Sequence, residues 1–216
     1  MAEPGMDAGA RVVAVLLAGG LSRRMGGGDK CMRPLLGRPI LDWVTERAVP
    51  QTSYMIIKAN GDASRFQDYA LPVVADSVEG FQGPLAGILA AMEWGASQHP
   101  DVKWIVSFPA DAPFVPAGLV QRYLDAAEDQ GADLVSACSA GRVHPVCGLW
   151  STSLAGDLRH ALTQENVRKI DRWTARHRLA EVAFETDPYD PFFNINESDD
   201  LKRAEEIARN ITAPST

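Results

Sequence analysis

The stretch LAGGLSRRMGGGDK, residues 17–30, concentrates the residue types best suited to chemistry in this chain. Five of its fourteen residues are glycine. Glycines there permit positive φ and close approach of the backbone to a ligand, and successive exposed N–H groups can cradle an anion. Residues 22–38 carry five cations, Arg23, Arg24, Lys30, Arg33 and Arg38, against a single acid, Asp29. Agreement between the glycines, the charge and the position after a strand favours phosphate binding over a flexible loop with solvated charges. The loop is neither a Walker A motif, since no GK[ST] closes it, nor a GxGxxG fingerprint.

A second signal is PADAP, residues 109–113. Two prolines stiffen the loop around Asp111, just past an apolar run. A carboxylate there is placed to hold a magnesium ion that bridges nucleotide phosphates; the alternative is a local turn hydrogen bond. Asp76 opens DSVEGFQGPLAG and is open to three roles: binding a ribose hydroxyl, joining a metal shell or capping a turn. Asn60, in KANGD, reads as a turn residue on the same terms. No Ser/His/Asp or Cys/His constellation stands out. Cys31, Cys138 and Cys147 give an odd count without a CxxC pair, against a disulfide framework or a zinc site. His144 reads as structural. The stretch RKIDRWTARHR, residues 168–178, is either a second anion patch or a solvated face.

These residues need a scaffold, and the hydrophobic pattern supplies one. VVAVLL at 12–17 is a continuous apolar run, as expected of a strand buried on both faces. Further strands are expected at 54–57, 73–75, 104–108, 132–137 and 144–150. Helices are expected at 39–49, 62–69, 84–93, 116–129, 152–164 and 197–209, the last with Ser198 as its cap. Such alternation implies an α/β fold, a Rossmann-like three-layer arrangement with a mostly parallel sheet covered on both faces. Ligands of such sheets bind at the carboxyl ends of the strands, here the loops at 18–30, 59–61, 76–84 and 109–115.

Length and composition agree. At 216 residues, 46% hydrophobic and 23% charged, the chain suits one domain, 11–212, behind a loose tail at 1–10. The formal charge of -7 gives no global basic field for nucleic acid. No apolar run reaches the roughly 18 residues needed to span a bilayer. A cytoplasmic protein with neither nucleic acid nor membrane as a partner is expected.

LAGGLSRRMGGGDK followed by PLLGRPILDWV resembles the signature of the molybdenum cofactor guanylyltransferases. DSVEGFQGPLAGILAAM, FPADAPFVP, HPVCGLW and FFNINESDDL resemble that family's later blocks, in the same order, over residues 12–208. The resemblance implies a fold like that of the nucleotide-diphospho-sugar transferases. It implies transfer of GMP from GTP to the terminal phosphate of molybdenum-loaded molybdopterin, with pyrophosphate released and Mg2+ as cofactor. Leu17, Ala18 and Gly19 would then line the guanine and ribose region. Asn60 and Asp76 would contact the nucleoside, and Lys30 would offset the GTP phosphates. Asp111 would bind the metal. Arg24 and Gly27 would lie near the reacting phosphates, with Gly27, Asn194 and Asn196 on the acceptor side. The N-terminal part would thus bind nucleotide and the C-terminal part acceptor. Other cofactor-biosynthesis or molybdoenzyme-maturation proteins are further expected partners. Cytidylyl relatives tend to have LAAG where this chain has LAGG, so the resemblance favours GTP over CTP. A non-catalytic shuttle for nucleotide or cofactor is the alternative of another class, and the presence of both Lys30 and Asp111 favours the enzyme.

Overall fold

The apolar run at 12–17 becomes the central strand of a seven-stranded sheet. The computed structural model describes residues 11–19, 29–80 and 83–212. In chain order it contains β1 (Val12–Leu17), β2 (Pro34–Leu35), β3 (Arg38–Pro39), α1 (Ile40–Ala48), β4 (Tyr54–Lys58), β5 (Val73–Val74), α2 (Pro84–Gln98) and β6 (Trp104–Pro109). There follow α3 (Leu119–Gln130), β7 (Leu134–Ser139), β8 (Arg142–Ser151), α4 (Ala155–Thr163), α5 (Ile170–Thr174), β9 (Leu179–Phe184) and α6 (Ser198–Thr212). The main sheet runs β5-β4-β1-β6-β8-β7-β9. Only β8 opposes its neighbours; β1 pairs parallel with β4 and β6, β4 with β5, and β7 with β9.

Alternation along β1 shows why the run is apolar throughout. Val12, Ala14 and Leu16 pack on one face with Leu41 and Val44 of α1 and Val120 and Tyr123 of α3. Val13 and Val15 pack on the other, with Ile88 and Met92 of α2 and Leu158 and Leu162 of α4. The result is the expected three-layer arrangement. A third cluster joins Leu35, Trp43 and Phe114 to Ile195 and to Ala204 and Ile207 of α6, which seats the C-terminal helix beside the hairpin β2–β3. No helix among the described residues is long and apolar enough to cross a membrane.

Several boundaries differ from expectation. The helix from 84 runs on to Gln98, and the segment at 63–69 is 3-10 helix. Strand β9 was not expected, although its alternation is clear: Ala180, Val182 and Phe184 are buried, while Glu181 and Ala183 are exposed. Sequence 168–178 is mostly the short α5 and the turn after it. Trp173 within it is fully buried and donates to Asp157 Oδ2 at 2.8 Å. Arg176 pairs with Glu165 at 2.6 Å and Arg178 with Asp133 at 2.7 Å, so two of the stretch's five cations are matched by acids. Ser198 is the first residue of α6, and Asp200 Oδ2 in its first turn accepts from the N–H groups of Asn196 and Glu197, at 2.8 and 2.9 Å.

Two places fix how the sheet's antiparallel part is built. Gly148 of β8 lies opposite Ser107 and Ser136. A Cβ there would sit 2.7 Å from the Val135 carbonyl oxygen and 3.1 Å from the Trp150 ring. Beyond the β7–β8 hairpin, Ser139 Oγ donates to Asp190 Oδ1 at 2.9 Å and lies 2.7 Å from His144 Nε2. A carboxylate only accepts, so the hydroxyl oxygen accepts from Nε2–H. His144 also stacks on Phe192, with centroids 4.8 Å apart. This network ties the segment before α6 to the hairpin.

Gly148→Ala should therefore destabilise the chain by about 1–3 kcal/mol through overpacking, read from denaturant unfolding; an unchanged midpoint would contradict the close approach. Burial lowers the His144 pKa, with Arg142 acting in the same direction and Asp190 opposing. A depressed folded-state value means stability is present above the unfolded value of about 6.5 and is lost as pH falls through it. The thermal midpoint should drop between pH 7.5 and 5.5, and His144→Gln should flatten that slope. An unaltered slope in the variant would remove His144 as its source.

Candidate active site

In-register pairing brings four strand ends to one edge. Leu17 of β1 faces Lys58 of β4 on one side and Pro109 of β6 on the other. The loops continue the ladder briefly: Ala18 N–H donates to Lys58 O, Ala59 N–H to Val74 O, and Ala110 N–H to Leu17 O. Thus Gly19, Asn60, Asp76 and Asp111 emerge side by side although far apart in sequence. They line one cavity of about 560 Å³, whose walls also include Asp29, Lys58 and Arg65, and Gly83 and Pro84 at the start of α2.

Two cations, Lys58 and Arg65, line this cavity and a third, Lys30, lines the small cleft beside it; each is held by a carboxylate. Lys30 Nζ lies 2.5 Å from Asp111 Oδ2 and 2.6 Å from Asn196 Oδ1. Lys58 Nζ lies 2.8 Å from Asp76 Oδ1, with both side chains almost wholly buried. Arg65 Nη1 lies 3.1 Å from Asp29 Oδ1, and its Nη2 donates to Asn60 O at 2.8 Å. Asn60 is more than a turn residue. Its Nδ2 donates to Asp76 Oδ2 at 2.6 Å and its Oδ1 accepts from Asp76 N–H at 2.9 Å, a reciprocal clamp on the Asp76 carboxylate.

The C-terminal segment reaches the same place by a backbone bond. Ile195 is fully buried in the third core cluster, and its N–H donates to Asp111 O at 3.0 Å. That bond sets Asn194 and Asn196 on either side of the site. Asn194 lines the main cavity and also an adjoining one of about 240 Å³, which shares Pro109 and Val146 with it and adds Arg142, His144 and Phe192. Asn196 is held at its backbone by Asp200 and at its side chain by Lys30.

Of the residues expected from sequence, Leu17, Gly19, Asn60, Asp76, Asp111 and Asn194 line the cavity. Ala18 and Lys30 line a small cleft beside it with Cys31. Arg24 and Gly27 lie outside the described residues. Cys31 is a packed core residue whose thiol burial pushes up to about 12, far from a thiolate ligand. Sequence reasoning missed Lys58 and the Arg65–Asp29 pair. The signal for Lys58 was a charged residue closing an otherwise apolar strand, YMIIK. Nothing local marks Arg65 in its short 3-10 helix.

Among the described residues no group of three or more His, Cys, Asp or Glu side chains converges to hold a metal ion. Asp111 stands at the strand end with about a quarter of its side chain exposed. A single carboxylate beside an anion cavity suits magnesium, which is commonly held by one or two carboxylates together with substrate phosphates.

Comparison with known proteins agrees with this architecture. Residues 14–181 match the family described as the MobA-like NTP transferase domain. A molybdenum cofactor guanylyltransferase of Rhodopseudomonas palustris (strain BisB5) is 51% identical over 195 residues, covering 90% of this chain and 93% of that protein. One of Nitrobacter hamburgensis is 52% identical over 194 residues, again covering 90% and 93%. Among solved structures, the molybdopterin-guanine dinucleotide biosynthesis protein A of Archaeoglobus fulgidus superposes with a TM-score of 0.71 at 27% identity, covering 92% of this chain and 99% of that one. The sheet order, the cavity at its carboxyl edge and these likenesses agree, and the chain belongs to the molybdenum cofactor guanylyltransferase family of nucleotidyltransferases.

Proposed function

We propose that the cavity binds GTP with magnesium and that GMP passes to the terminal phosphate of molybdenum-loaded molybdopterin, releasing pyrophosphate. The observation that carries this reading is the position of Lys30. Its ammonium is held between Asn196 and Asp111, and Asp111 lines both the 560 Å³ cavity and the small cleft that Lys30 itself lines. The main cavity suits the nucleotide and the adjoining 240 Å³ one, with Arg142 and the stacked His144–Phe192 rings, suits an anionic heteroaromatic acceptor.

The chemistry asked of the residues is mostly electrostatic. The acceptor phosphate is largely ionised near neutral pH, its second pKa being about 6, so no strong general base is needed. Its oxygen attacks the α-phosphorus in line, and the bond from that phosphorus to the bridging oxygen breaks to release pyrophosphate. Lys30 offsets charge on the α- and β-phosphates as it develops. Asp111 would hold a magnesium ion, which would supply positive charge that lowers the repulsion between the two anions. Asn60 and Asp76 hold the nucleoside on the far side of the cavity, and Asn194 and Asn196 orient the acceptor. Arg24 and Gly27, outside the described residues, would act near the reacting phosphates. Most of the rate then comes from holding two polyanions in line.

Gly19 favours GTP over CTP. A Cβ at this position would point along the cavity wall to within 3.7 Å of Lys58 Nζ, taking space a purine can use. GTP should bind more tightly than CTP to the purified chain in magnesium; equal or tighter CTP binding would sink the choice of GTP.

Asp111→Asn should lower magnesium-dependent guanylylation about a hundredfold or more with the fold intact, as for loss of one group that stabilises transition-state charge. Lys30→Ala should weaken GTP about ten- to a hundredfold, the value of one hydrogen bond to a charged group. A pure-component assay that follows pyrophosphate release checks both, and near-normal turnover in either variant removes that residue from the mechanism.

A further inference from the structure

Lys58 has no role in the phosphate chemistry, yet it is the most deeply buried cation at the site. It closes β4 with its side chain only 7% exposed. Its stem lies against α2 at Gly87, where a Cβ would come within 3.1 Å of Lys58 Cδ and 2.9 Å of Leu17 Cδ2. Glycine at that position leaves the channel through which the lysine reaches the cavity. There its ammonium meets Asp76 Oδ1 at 2.8 Å. An ammonium carries three donors, and Asp76 is the one partner shown for it among the described residues. The others border the cavity below Gly19.

The pairing decides what such a group can bind. Lys58 and Asp76 together are neutral, and a phosphate brought to them would meet the Asp76 carboxylate at close range. The pair instead offers a donor beside an acceptor at the cavity wall. Its complement is a neutral edge with an acceptor beside a donor. Guanine has that edge in O6 and N1–H. Adenine presents the reverse, an amino donor and a bare N1. Lysine to guanine O6 is an established pairing by geometry. Asp76 Oδ2 accepts from Asn60, while Oδ1, ion-paired with Lys58, accepts no hydrogen bond among the described residues and keeps its lone pairs.

We infer that Lys58 is a base-selecting residue, donating to the 6-keto oxygen of the purine while Asp76 accepts from N1–H. This rests on the reading of the cavity as a GTP site. Two structural details serve the inference: Gly87 admits the lysine stem, and Asn60 fixes the Asp76 carboxylate through a side-chain and a backbone bond.

The test measures affinities of the full chain, in magnesium, for GTP, ITP and 2-aminopurine riboside triphosphate. ITP keeps O6 and N1–H, whereas the aminopurine lacks both and keeps the 2-amino group. The unmodified chain should hold ITP nearly as well as GTP and the aminopurine far more weakly. In Lys58→Met, GTP and ITP should each weaken about ten- to a hundredfold, with the aminopurine changed by no more than about twofold, so that discrimination collapses. Lys58→Gln, which keeps an N–H donor, should recover part of it. The ratio of two affinities within one variant does not depend on the folded fraction, so a stability loss from breaking the buried pair does not mimic the result. Equal weakening of all three triphosphates, or an unmodified chain that holds the aminopurine as well as GTP, overturns the role of Lys58. An unmodified chain that prefers CTP or ATP to GTP overturns the GTP reading itself.

Discussion

Three cations gathered at one sheet edge repel one another, and each would be costly to bury alone. The site resolves this with a carboxylate for every cation: Lys30 with Asp111, Lys58 with Asp76, Arg65 with Asp29. Each pair joins separate parts of the chain, so the charges that suit a nucleotide also tie the loops together before it arrives. An acidic chain of charge -7 thereby keeps a local anion site. The pairs also divide the work. Lys30–Asp111 is the more exposed pair, where the main cavity meets the small cleft, and in the proposed reaction phosphates exchange partners with it. Lys58–Asp76 is more deeply buried and in the inferred role faces a neutral edge.

The rest of the fold serves this arrangement. Parallel pairing of β4, β1 and β6 in register puts Lys58, Leu17 and Pro109 level, so the loops after them open at one edge. The C-terminal segment is long in sequence but pinned at two points. Ile195 is bonded to the Asp111 backbone, and Asp190 is bonded to Ser139 on the hairpin. Without those ties Asn194 and Asn196 would not stand beside Asp111. The antiparallel strand β8 turns the sheet so that Arg142 and His144 border the second cavity.

Much of this was legible in the sequence because the signals were local. The apolar run at 12–17, the stiff PADAP loop and the Gly-rich cationic stretch each carry their meaning within a few residues. The strand-end rule then placed Asn60, Asp76 and Asp111 together. Lys58 was not legible, because its significance depends on Asp76 across the β4–β5 step and on the absence of a side chain at Gly87. Strand β9 was obscured by the basic stretch before it, in which Arg176 is paired with Glu165 and Arg178 with Asp133. Nothing local in the sequence marks Asp200, whose carboxylate holds the N–H of Asn196 and so acts on the site.

The central claim is that the Lys30–Asp111 pair is a resting arrangement that GTP and magnesium divide between them. A crystal structure with GTP and magnesium tests it directly. The expected result is Asp111 on the metal, with Lys30 Nζ moved from its present 2.5 Å contact onto a phosphate oxygen. An intact Lys30–Asp111 contact with the triphosphate bound elsewhere would contradict it.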